Sequence, residues 1–94
     1  MTDTTFKDGI SVLIPVYNYD CSAYVRGLSE QLRVLSVEEG GVEHEILVLD
    51  DASTDVVTLQ ANRSLHRVPG VRVFEGEKNI GRARARNFLL DQAR

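Results

Sequence analysis

The chain has 94 residues, 43% of them apolar and 27% charged, with a net charge of −3, which describes one folded domain at most and is unlike the composition of a disordered protein. The negative balance argues against a dedicated nucleic-acid binder, and no apolar run approaches the roughly 20 residues that a membrane-spanning helix requires. A single cysteine, Cys21, makes neither an internal disulfide nor a metal cluster; with the polar, signal-free start "MTDTTFKDG" it points to a reducing, cytoplasmic setting.

Residues 1–9 read as a flexible tail. Ile10 to Pro15, "ISVLIP", is an apolar run closed by proline, the pattern of a buried strand. Over residues 22–39, Tyr24, Val25, Leu28, Leu32 and Leu35 form the stripe of an amphipathic helix, and Gly40-Gly41 supplies its stop. Glu45 to Asp50 gives a second strand. A shorter helix is predicted over 55–66, ahead of Pro69-Gly70, with Ser53 and Thr54 as its capping residues. Val71 to Glu75, "VRVFE", is the third strand. From Gly81 onward Ala85, Phe88, Leu89 and Ala93 share one side of a third helix.

This alternation predicts an α/β fold: parallel strands joined by right-handed helical crossovers, in effect half of a doubly wound, Rossmann-like sheet. Three strands and three helices leave an edge or face of such a sheet poorly covered, so the chain reads as a fragment of a longer protein.

Sheets of this kind take ligands in the crevice outside the carboxyl ends of their strands. Those ends carry "PVYN" (15–18), "DDAST" (50–54) and "EGEKNIGRARARN" (75–87), which nominates Pro15, Tyr17, Asn18, Asp50, Asp51, Ser53, Asn79 and Arg86. A tyrosine face supports a planar base by stacking, and a carboxylate, which only accepts, selects a base edge that offers N–H. Arg82 and Arg86 share a helix face from which Arg84 points away, though arginines on a helix are more often a solvated face than a site. Asn79 and Gly81 suit a turn into the helix. The competing reading of Asp50 and Asp51 is a helix cap or turn acceptor. His44 and His66 are isolated surface residues, and Cys21 is a small packing residue at a helix start.

Taken in order and at their spacing, "SVLIPVYN", "EILVLDDASTD" and "KNIGRARARN" resemble the N-terminal nucleotide-binding half of the family 2 glycosyltransferases, inverting enzymes of the GT-A fold. The resemblance covers residues 10–90 and implies a sheet order 3-2-1, with a fourth strand to follow beside the first. It implies that this half binds the nucleotide of a sugar donor, with a UDP-sugar favoured, for transfer to an acceptor hydroxyl in polysaccharide or glycoconjugate synthesis. Tyr17 would pack beside the base, Pro15 would shape the strand exit, Asp51 would accept a base N–H and Arg86 would lie near the base. The Asp-x-Asp strand for a divalent cation (Mg or Mn), the catalytic base and the elements for a glycan or lipid acceptor belong beyond Arg94. No catalytic or metal-binding residue is therefore expected in this chain, which alone is expected to be inactive; the full-length protein could attach to a membrane. Without the fourth strand, "SVLIP" becomes an exposed apolar edge through which the fragment is expected to self-associate; a monodisperse monomer in sedimentation at high concentration contradicts this.

Two other classes compete. A receiver domain needs its acidic pair at the end of the first strand and a phosphoacceptor Asp at the end of the third, where this chain has Pro15 and Glu75. A non-catalytic protein- or RNA-binding module would use the "GRARARN" helix, which is basic on one side only. Neither G-x-G-x-x-G nor a Walker motif is present.

Overall fold

In the computed structural model, which describes residues 9–94, the strands β1 (Ile10–Val16), β2 (His44–Asp50) and β3 (Val71–Glu75) pair in parallel in the order β1-β2-β3. This is the α/β half-sheet expected, with order 3-2-1. Apart from Gly9, the expected N-terminal tail lies outside the described residues. β2 is central and buried along nearly its whole length, which explains why its sequence is a continuous apolar run and not an alternation. Pro15 sits opposite Leu49 on β1, which among the described residues pairs with β2 alone; an edge strand tolerates a residue with no N–H.

Each face of β2 meets different helices. Ile46 and Val48 pack with Val25 and Leu32 of α1 (Ser22–Glu38) and with Leu65, which lies in the short 3-10 turn Ser64–Arg67 after α2 (Val56–Arg63). Leu47 and Leu49 pack against Ala85 and Leu89 of α3 (Arg82–Gln92), where Phe74 and Phe88 meet edge to face at 5.4 Å. α1 and the α2 segment thus lie on one face and α3 on the other, chiefly over β1. Right-handed connection directs any parallel strand following α3 to the outer edge of β1, which has no partner strand among the described residues.

Two local expectations need correction. The second helix is α-helical only to Arg63 and tightens to 3-10 over Ser64–Arg67, which lets Leu65 reach the core before Pro69. Tyr24 and Leu35 are also outside the α1 core stripe: Val25 faces the sheet fully buried, one residue back turns the side chain by about 100° and leaves Tyr24 60% exposed, and Leu35, in the last turns of the helix, is 37% exposed.

At the amino end of the sheet, Glu45 is buried on the α3 side of β2. Its Oε2 accepts the Ser11 hydroxyl at 2.7 Å and the backbone N–H of Arg94 at 2.7 Å; its Oε1 accepts Arg72 Nη2 at 3.0 Å. The same Nη2 donates to the Gln92 carbonyl at 2.6 Å, at the end of α3. One carboxylate therefore ties β1, β3 and the C-terminal end of α3 to β2. Burial pushes the Glu45 carboxyl up, but the donors from Arg94, Ser11 and Arg72 outweigh it and hold the group below the ordinary glutamate value.

A depressed native pKa contributes stability above the unfolded value of about 4.3 and loses it as pH falls through the lower native value. Glu45→Gln should cost about 2 kcal/mol at pH 7, less than a fully buried pair because Arg72 is partly exposed. Urea unfolding should show that cost shrinking as the pH falls below 4.3; a cost independent of pH contradicts the latch.

Candidate functional site

Side chains alternate across a strand, so the adjacent aspartates at the end of β2 diverge. Asp50 follows Ile46 and Val48 toward the α1 side, whereas Asp51 follows Leu47 and Leu49 toward α3. Asp50 Oδ1 accepts the Ser53 N–H at 2.7 Å and closes a tight turn in which Ala52 takes φ +64°, a left-handed conformation uncommon outside glycine. Asp50 Oδ2 is buried with no hydrogen-bond partner among the described residues.

Asn18 stitches this turn to the exit of β1. Its backbone N–H donates to Ser53 Oγ at 2.8 Å, its Oδ1 accepts the N–H groups of Thr54 (2.8 Å) and Asp55 (3.0 Å), and its Nδ2 donates to Thr54 Oγ1 at 3.1 Å. The sequence expectation that Ser53 and Thr54 cap α2 is corrected: both hydroxyls are engaged by Asn18, and Asp55 is the cap, accepting the Val57 N–H at 3.1 Å and the Thr58 hydroxyl at 2.8 Å. Behind them the buried Asn62 accepts the Cys21 N–H (2.9 Å) and donates to the Tyr19 carbonyl (2.8 Å), fixing the path from Tyr17 into α1. Burial pushes the Cys21 thiol up to about 11, so it is a packing group and not a nucleophile.

Asp51 does the equivalent for the third loop. Its two carboxylate oxygens accept the N–H groups of Ile80 and Gly81, each at 2.9 Å. Gly81 is at φ +85°, ψ 159°, a region essentially closed to residues with a Cβ, and this geometry lets its N–H turn back toward Asp51. Asn79 braces the loop, donating to the Asp51 carbonyl at 3.2 Å and accepting from Gly81 N–H at 3.1 Å. The carboxylate is thus satisfied in the fold by amides, yet each oxygen keeps further lone-pair capacity.

These loops bound a cleft of about 420 Å³, a size suited to a small molecule, lined among others by Pro15, Tyr17, Tyr19, Asp51, Asn79 and Arg82. Tyr17 and Tyr19 are 50% and 61% exposed and present apolar rings to it. Of the eight nominated residues, Pro15, Tyr17, Asp51 and Asn79 line the cleft. Asn18, Asp50 and Ser53 stand behind it as loop supports, and Arg86 lies a helical turn beyond Arg82, outside the lining. Tyr19 and Arg82 were not nominated, although Arg82 directly follows Gly81 and Tyr19 is two residues from Tyr17. The cleft therefore offers aromatic surface, an acceptor-only carboxylate and a donor-only guanidinium.

The family described as Glycosyl transferase family 2 matches residues 11–94. The protein MT1568 of Mycobacterium tuberculosis (strain CDC 1551 / Oshkosh), described as uncharacterized, is 38% identical over 88 residues, which are 94% of this chain and 25% of that protein. The structure of the mannosyltransferase PcManGT from Pyrobaculum calidifontis, in complex with GDP-Man and Mn2+, superposes with a TM-score of 0.61 and 24% identity over 98% of this chain and 26% of that one. The chain thus spans about a quarter of the length of these relatives.

Asp51→Asn keeps one acceptor and turns an amide donor toward an N–H, so it should cost about 1–3 kcal/mol. Amide exchange should quicken at Ile80 and Gly81 while Ser53, held by Asp50, stays protected. Unchanged protection at Ile80 and Gly81 contradicts the role given to Asp51.

Proposed function

The chain belongs to glycosyl transferase family 2, and from that premise we infer that its cleft holds the nucleotide of a nucleotide-sugar donor. The observation that carries this is the buried, loop-fixed carboxylate of Asp51 lining the same cleft as Tyr17 and Tyr19. A ring packed against the tyrosines would turn its edge to Asp51, which accepts N–H and repels a lone pair. Uracil offers its imide N–H there; cytosine offers a lone pair. A UDP-sugar is therefore the favoured donor. The GDP-Man held by PcManGT supports a nucleotide sugar in general, and guanine also presents an N–H on its pairing edge.

The reaction we assign to the whole protein is attack of an acceptor hydroxyl, on a glycan or lipid, at the anomeric carbon with inversion. A base must take the hydroxyl proton, and a metal such as Mg or Mn would hold the leaving diphosphate. The described residues do not fit such a metal: Asp50 and Asp51 face opposite sides of the sheet, each accepts backbone N–H, and no three ligating side chains converge. The metal and the base are assigned to segments beyond Arg94, and the chain alone is expected to bind a donor without transferring its sugar. The divergent aspartates also remove the basis for a receiver-like cation site, which needs both carboxylates on one ion. No helix among the described residues is long and apolar enough to cross a membrane, and the reading includes a cytoplasmic setting and self-association through the free edge of β1.

Calorimetric titration of the chain tests the reading. UDP should bind at least about tenfold more tightly than CDP, equivalent to about 1.4 kcal/mol. Tyr17→Ala should weaken UDP by roughly 1–3 kcal/mol. Equal affinity for UDP and CDP contradicts base reading by Asp51, and GDP binding more tightly than UDP would reassign the donor.

A further inference from the structure

A second groove, of about 600 Å³, lies between α1 and the 3-10 turn after α2, extending to the amino ends of β2 and β3 at His44 and Gly70. It shares no lining residue with the nucleotide cleft, which sits at the carboxyl ends of the strands. Its charge is opposite to that of the chain. Arg26, Arg33 and Arg67 line it with His44 and Ser29, against one carboxylate, Glu30, giving +2 with a neutral histidine in a protein whose net charge is −3.

The engagement of these cations is incomplete. Arg26 donates to a neutral acceptor, Ser64 Oγ, at 2.9 Å. Arg67 and His44 have no side-chain partner among the described residues. Arg33 pairs with Glu30 within α1, but both side chains are more than 60% exposed, so solvent screens the pair and a stronger anion can displace Glu30. Val68, Pro69 and Gly70 also line the groove and add no charge to it. Three guanidinium groups lining one groove beside the Ser29 hydroxyl supply the planar N–H donors that suit the oxygens of a phosphate group.

We propose that this groove is a phosphate-binding site separate from the nucleotide cleft, with Arg67 and Arg33 as its main ligands and Glu30 as the internal competitor for Arg33. The phosphate is that of a soluble phosphate or diphosphate, or of an anionic lipid headgroup; the chemistry of recognition is the same. The assignment is independent of the donor reading.

An amide-resolved NMR titration with inorganic phosphate and with pyrophosphate, beside flotation with vesicles of phosphatidylcholine alone or mixed with phosphatidylglycerol, separates the sources. The soluble source is supported if either anion shifts residues 26–33, 44 and 67–70 while 79–82 stay in place. The lipid source is supported if only the phosphatidylglycerol vesicles carry the chain. In either case Arg67→Ala, which removes an exposed, unpaired side chain and leaves the fold intact, should weaken binding about tenfold, and Glu30→Gln should strengthen it several-fold. The proposal is overturned if no anion or vesicle binds at this groove, or if binding there ignores both substitutions.

Discussion

The Asp51 carboxylate, buried at the end of the central strand and accepting two backbone N–H groups from a loop about thirty residues away, is the interaction on which the site depends. A charge out of water is costly unless hydrogen bonds replace its hydration, and here the amides of Ile80 and Gly81 do so. Because strand side chains alternate, the neighbouring Asp50 points the other way and closes its own turn through Ser53. Two consecutive carboxylates thereby fix two different loops, one on each side of the sheet, and the cleft forms between the exit of β1 and the start of α3. A single aspartate at this strand end could anchor only one of them.

The same alternation organises α3 along its length. Glu45 and Asp51 both project from the α3 side of β2, six residues or ~20 Å apart along a strand. The 11 residues of α3 rise by about 16 Å, close to that spacing. Asp51 holds the turn entering the helix, and Glu45, with Arg72, holds the backbone leaving it. Between these anchors Ala85 and Leu89 pack on Leu47 and Leu49. α3, which carries Arg82 into the cleft, is thus registered on the sheet by polar contacts at both ends and an apolar contact between. Glu45 lies at the far end from the cleft but serves the same helix.

How much of this was legible in the sequence follows from the range of the interactions. Strand and helix order, the parallel half-sheet and the rim were readable because they rest on local periodicity and on a rule about strand ends. Pro15, Tyr17, Asp51 and Asn79 are motif residues and do line the cleft. The partners of Asp51, Asn18 and Asn62 were not readable: each bonds across 28 to 43 residues of sequence, and nothing local distinguishes a clamp from a ligand. Asn18 and Ser53 therefore read as contact residues while the fold uses them on one another. Arg82 is not distinguished in the sequence because exposed helix arginines are common, and it lines the cleft through its place directly after the Gly81 turn.

The most direct test is an amide-resolved NMR titration of the chain with UDP, run in parallel on Asp51→Asn. Segments 15–19, 50–55 and 79–82 should shift together and saturably in the unaltered chain, with the response lost in the variant while its spectrum remains that of a folded domain. A folded spectrum in which UDP moves none of these segments, or moves them equally in both proteins, contradicts the claim that Asp51 both builds the cleft and reads the base.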